Sequence, residues 1–146
     1  MTPPILNDAA PLETFRKLLS EGQHTVPLGE LLGFRLVEID PGRAVVELEA
    51  GPRHANIIGT LHGGVIATIA DSAMGMAYAA TLDAGETCTT VDLKVNFLRP
   101  FEDGVLRAVA SVIKRGRTLG YMECDVVDSE GRLIARSSST CMVLRG

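Results

Sequence analysis

A chain of 146 residues and 15.5 kDa has room for one domain and a sizeable core. Fourteen basic against 18 acidic residues give a net charge of −4 and a pI near 5.3, which argues against non-specific binding of nucleic acid. A hydrophobic fraction of 46% and a mean hydropathy of +0.20 exclude a disordered chain, and composition and length exclude collagen-like, disulfide-scaffold and tandem-repeat classes.

The run Met1–Phe15 lacks a basic stretch followed by an apolar core and does not read as a signal peptide. Leu12, Phe15, Leu18 and Leu19 recur at helical spacing and predict a short amphipathic helix over 12–20, inside an N-terminal extension of residues 1–26. Val26–Leu32 predicts another turn or two of helix. Phe34–Ile39 and Ala44–Glu49 alternate polar and apolar residues across Asp40-Pro41-Gly42, the pattern of a hairpin. A loop then leads into an Ala-rich helix over 64–82. Its Val65–Leu82 stretch approaches the roughly 20 residues of a membrane span. Asp71 at its centre and the lack of flanking Trp, Lys or Arg anchors argue instead for a helix buried in a protein core.

Beyond the helix the period is two, predicting strands over Thr87–Phe97, Gly104–Lys114, Leu119–Val127 and Leu133–Leu144. Short turns at Gly116 and Gly131 make the last strands antiparallel neighbours. A single apolar helix must pack against that sheet, so the fold class is α+β, one layer of antiparallel sheet around one helix. Small residues (Ala67, Ala70, Ala73, Gly75, Ala77, Ala79 and Ala80) keep the helix thin enough for a curved sheet to close around it. On strict alternation Thr90 shares a face with Cys88, Asp92, Lys94 and Asn96, opposite Thr89, Val91, Leu93, Val95 and Phe97.

Cys88, Cys124 and Cys141 are odd in number and widely spaced, which fits reduced, buried thiols of a cytosolic protein. His24, His54 and His62 are isolated and form no metal-ligand motif, so no metal is expected. Asp71 sits mid-helix, too far in to be a cap, with Thr68 and Ser72 on roughly its side; a buried carboxylate there needs a partner, either structural or catalytic. His62-Gly63-Gly64 opens the same helix. Such a start either turns the chain or presents free N–H groups to a carbonyl or oxyanion. Eight residues separate Gly63 from Asp71, about 12 Å along a helix, and Asn56 in the preceding loop offers an amide. Residues 1–87 hold five basic and eleven acidic residues, residues 88–146 nine and seven, so the C-terminal part leans basic. Arg99, Lys114, Arg115 and Arg117 fall at strand ends or turns.

The pattern Asn56-x-x-Gly59-x-x-His62-Gly63-Gly64, with Asp71 on the next helix, resembles the PaaI-type acyl-CoA thioesterases of the hotdog superfamily, relatives of the 4-hydroxybenzoyl-CoA thioesterases. The likeness runs through Thr90-Val91-Asp92-Leu93, Asn96-Phe97-Leu98-Arg99-Pro100 and Lys114-Arg115-Gly116-Arg117-Thr118-Leu119, covering about residues 27–144. It implies a hotdog fold over the whole chain, a homodimer as the minimal active unit and a homotetramer beyond it. The implied reaction is cytoplasmic hydrolysis of a small acyl- or aryl-acyl-CoA, with no cofactor besides the coenzyme A of the substrate. By position, Asp71 is the catalytic carboxylate, as nucleophile or as general base on water. The Gly63 N–H polarises the thioester carbonyl, Asn56 helps orient it, and Thr90 positions water or the carboxylate from the partner subunit. His62 and Gly64 belong to the substrate-binding motif, and Arg115 and Arg117 are candidates for the phosphates of coenzyme A. Two other readings are an acyl-CoA binding or sensing module without turnover, and a hydratase or dehydratase.

Overall fold

A computed structural model describes residues 9–22 and 26–146. The start of the N-terminal extension and His24 lie outside the described residues. Two short helices come first, α1 (Pro11–Ser20) and α2 (Pro27–Leu32), followed by strands β1 (Phe34–Asp40) and β2 (Arg43–Ala50). A 3-10 turn at Pro52–His54 and a loop lead to the long helix α3 (Gly63–Ala79). Strands β3 (Glu86–Phe97), β4 (Gly104–Arg115), β5 (Leu119–Asp128) and β6 (Leu133–Arg145) complete one antiparallel sheet, in the order β1-β2-β4-β5-β6-β3.

The sheet wraps α3, as the small residues along that helix predict. Ala70, Ala73 and Ala77 are fully buried against it, together with Ile69, Met74 and Tyr78. The sheet answers with Val46 and Leu48 of β2, Leu106, Ala108 and Ala110 of β4, and Met122 and Val126 of β5. Contact is closest at Gly120 on β5, where a Cβ would lie 2.1 Å from the Tyr78 ring. Among the described residues no helix is long and apolar enough to cross a membrane.

The two ends of the sheet differ. At one, α1 lies against β1 and buries Phe15. At the other, β3 is bonded only to β6 among the described strands, so one of its edges is open. That edge carries exposed apolar residues: Val91, Leu93, Phe97 and the following Leu98. Exposed apolar edges are unusual in chains that stay single, because they present unpaired N–H and C=O groups to any other strand.

The strict alternation expected for β3 fails at one residue. Thr90 pairs with Cys141 and Asp92 with Thr140, leaving Val91 as an extra residue, a β-bulge. Before it, Cys88 and Thr90 stand on the helix-facing side with buried Val143 and Cys141. After it, Leu93, Val95 and Phe97 take that side, opposite buried Ser139, Ser137 and Ala135. Asp92, Lys94 and Asn96 point the other way, so Thr90 does not share their face. Asp92 instead bonds the ladder, accepting from the Thr140 N–H at 2.8 Å.

Candidate active site

The loop before α3 is built by side chains gripping backbone. His54 is buried, its Nδ1 accepting from the Gly51 N–H at 3.0 Å and its Nε2 lying 2.7 Å from the Leu32 carbonyl. The His62 N–H in turn donates to the His54 carbonyl. Asn56 folds the four-residue turn after it: its Oδ1 accepts from the N–H groups of Ile58 and Thr60, and its Nδ2 donates to Thr60 Oγ1 at 2.8 Å. Gly59 closes that turn at φ +88°, a conformation side chains disfavour. One hydrogen of the Asn56 amide makes no bond among the described residues.

His62 caps α3. Its Nδ1 accepts from the Gly64 N–H at 2.8 Å, satisfying one of the free donors of the first turn. Gly63 keeps its N–H unbonded among the described residues. The ring of Phe97 lies against Gly63, where a Cβ would meet it at 3.0 Å. Asn56, Leu61, Gly63, Phe97, Arg99 and Phe101 are among the residues that line a recess of about 380 Å³. The motif spacing brings Asn56 and Gly63 together but gives Phe97 no part; its place in the Asn96-Phe97-Leu98-Arg99-Pro100 motif is the signal that marks it.

Asp71 lies two turns further along α3 and is half-buried. Thr90 of the same chain donates to its Oδ1 at 2.9 Å, and Asp71 has no other hydrogen bond among the described residues. The bulge turns Thr90 toward its own helix, away from the face that strict alternation gave it with Asp92, Lys94 and Asn96. Thr68 does not join the pair, its hydroxyl bonding back to the Gly64 carbonyl at 2.8 Å. Two thiols adjoin the pair. Cys141 Sγ is 3.8 Å from Thr90 Oγ1. A hydrogen bond with Cys88 lets Cys141 shed its proton more readily than a free thiol, while the same bond, followed by burial, makes Cys88 hold its own.

Of the two arginines, Arg115 is already engaged. Its Nε donates to Thr81 Oγ1 at 3.0 Å, its Nη1 to Tyr78 Oη at 3.3 Å and to the Gly116 carbonyl, and Glu86 lies 3.9 Å away. Its guanidinium also sits 5.1 Å over the Tyr78 ring. It therefore buttresses the C-terminal end of α3, away from Gly63. The Arg117 side chain makes no bond among the described residues, although its carbonyl accepts from Arg145.

Comparison with known proteins decides the family. A model described as the thioesterase superfamily matches residues 58–135, a span that includes Gly63, Asp71 and Thr90. Human acyl-coenzyme A thioesterase 13 is 35% identical over 107 residues, covering 72% of this chain and 76% of that protein. The chain belongs to the thioesterase superfamily. Its architecture agrees: a solved thioesterase family protein from Silicibacter pomeroyi matches it with a TM-score of 0.80 at 31% identity, over 90% of this chain and 96% of that one. The Escherichia coli PaaI protein, at 22% identity and a TM-score of 0.81 over 96% and 98% of the two chains, shares the hotdog fold. This thioesterase is thus a hydrolase with a long central helix wrapped by its sheet.

Proposed function

We propose that this thioesterase hydrolyses a small acyl- or aryl-acyl-CoA to the free acid and coenzyme A, with Asp71 as the reacting carboxylate. The observation that carries the reading is the 2.9 Å bond from Thr90 to Asp71 Oδ1, which fixes the carboxylate while leaving its second oxygen to face a reactant. That oxygen takes a proton from water attacking the thioester carbon, or attacks the carbon itself. In either case the carbonyl oxygen becomes an oxyanion, and the unbonded Gly63 N–H at the head of α3 supplies the preorganised donor for it. The remaining Asn56 hydrogen orients the same carbonyl. The intermediate collapses by expelling coenzyme A as thiolate, a good leaving group. This gives the free acid directly when water attacks, whereas attack by Asp71 leaves an acyl-Asp71 anhydride that a water then hydrolyses to the acid and the restored carboxylate. Arg99, which lines the recess, and Arg117 are the cations we assign to the phosphates.

The working unit in this proposal is two chains joined along their open β3 edges. Within one chain, Gly63 and Asp71 are separated by about 12 Å and by about 80° around the helix, and the recess at Gly63 is lined by neither Asp71 nor Thr90. Edge-to-edge pairing covers Val91, Leu93 and Leu98 and brings the helix start of one chain toward the carboxylate of the other. Pairs of such dimers form the tetramer. Free cysteines at 88, 124 and 141 suit a reducing compartment, and we place the enzyme in the cytoplasm.

The test is thiol release from acetyl-, hexanoyl-, decanoyl- and phenylacetyl-CoA by the wild type and by Asp71→Asn. Turnover of at least one substrate, lost in the variant, is the expected result. Full rate in Asp71→Asn overturns the carboxylate assignment. Tight acyl-CoA binding without thiol release by the wild type favours a sensing module, and hydration of an enoyl-CoA without release favours a hydratase.

A further inference from the structure

Thr90 Oγ1 has a second polar neighbour besides Asp71, the Sγ of Cys141 at 3.8 Å. The two residues face each other across the β3–β6 ladder, and Cys141 is only 1% exposed. A hydroxyl has one proton to give. At Thr90 that proton lies on Asp71 Oδ1, and an ionised carboxylate has none to return. The contact with sulfur therefore runs one way: the Cys141 S–H donates to the Thr90 oxygen. Were the hydroxyl to turn its proton toward the sulfur instead, Asp71 would lose its only hydrogen bond among the described residues.

We propose that Cys141 is a positioning residue for hydrolysis, its buried thiol proton holding the Thr90 hydroxyl on Asp71. The inference rests on the reading of Asp71 and Thr90 given above. Cys141 is a buried side chain that the reaction as proposed does not use. Its substitution should therefore slow the chemical step and leave substrate binding alone, because the geometry of the carboxylate changes while the recess does not.

The experiment compares Cys141→Ala, Cys141→Ser, Thr90→Val and the Thr90→Val/Cys141→Ala double variant, measuring kcat and KM on the panel member the wild type turns over fastest. Ala and Ser remove nearly the same volume, but only Ser keeps a donor. Losing one neutral hydrogen bond lowers kcat about threefold to tenfold, so Cys141→Ala falls by that factor with KM unchanged, and Cys141→Ser recovers much of it. In the Thr90→Val background Cys141→Ala adds nothing, since the hydroxyl it steers is gone. Wild-type kcat in Cys141→Ala, equal losses in Ala and Ser, or an undiminished Cys141→Ala effect in the Thr90→Val background each overturn the positioning role. Wild-type kcat in Thr90→Val overturns the Thr90 assignment, and the role of Cys141 with it.

Discussion

Gly63→Pro removes a single hydrogen-bond donor from the site and little else. Gly63 is the first residue of α3, the helical position where proline is best tolerated, and its φ is not positive. The preceding His62 is already extended, at φ −63° and ψ 130°, as a residue before proline must be. Proline also brings a Cβ, which meets Phe97 Cζ at 3.0 Å and Cε1 at 3.1 Å, so the ring has to give by a few tenths of an ångström. Phe97 is 57% exposed and has room to do so. Gly63→Ala carries the same Cβ and keeps the N–H, and so measures the ring shift alone. Removing one preorganised oxyanion donor costs about 10²–10³ in kcat, or about 2.7–4 kcal/mol. The ring shift alone should cost Ala less than about 1 kcal/mol, the low end of overpacking. Thiol-release kinetics on both variants, with circular dichroism to verify the helix, read the difference. Equal kcat in Pro and Ala refutes the assignment, because the N–H then meets no developing charge.

Gly120→Ala places a Cβ 2.1 Å from Tyr78 Cε2 and 2.7 Å from Cζ, in a fully buried contact, so urea unfolding at fixed protein concentration should show a loss of about 1–3 kcal/mol or more. Arg115→Gln strips the contacts to Tyr78 and Thr81 and should lower the melting temperature with KM for acyl-CoA unchanged, whereas Arg117→Gln should raise KM and leave the melt alone. Asp128 is buried at the β5–β6 turn; burial pushes its carboxyl up, but bonds from the Arg132 N–H and side chain and the Glu130 N–H outweigh it and hold it below the ordinary 3.8. Its contribution to stability is fully present above that ordinary value and is lost as pH falls through the lower folded one. Asp128→Asn should therefore flatten the acid limb of a stability-against-pH curve.

Periodicity made most of the fold legible. The Ala-rich run could only be a buried helix, and two-residue alternation located all six strands to within a few residues. Asp71 stood out because a carboxylate in so apolar a segment demands a partner. The face of Thr90 was misplaced: alternation has no means of signalling an inserted residue, and Val91 looks like any other β-branched strand residue. Arg115 stood beside Arg117 as a candidate for the phosphates because Tyr78 and Thr81, which engage it, lie more than 30 residues away in sequence. The role of Asn56 was half visible. Its spacing to Gly59 marked a loop, but only the geometry shows three of its bonds spent on shaping that loop.

The bulge at Val91 is what lets one strand serve both halves of the proposed chemistry. Thr90 and Phe97 are seven residues apart, an odd separation that in an unbroken strand puts them on opposite faces. Here both face α3, Thr90 meeting Asp71 and Phe97 lying on Gly63. Without the extra residue the strand could present the hydroxyl to the carboxylate or the ring to the helix start, but not both. The bulge also bends the open edge of the sheet where Val91 is exposed. The register that aims Thr90 at its own helix therefore shapes the edge on which the second chain is proposed to pair, and the two requirements meet in one inserted residue.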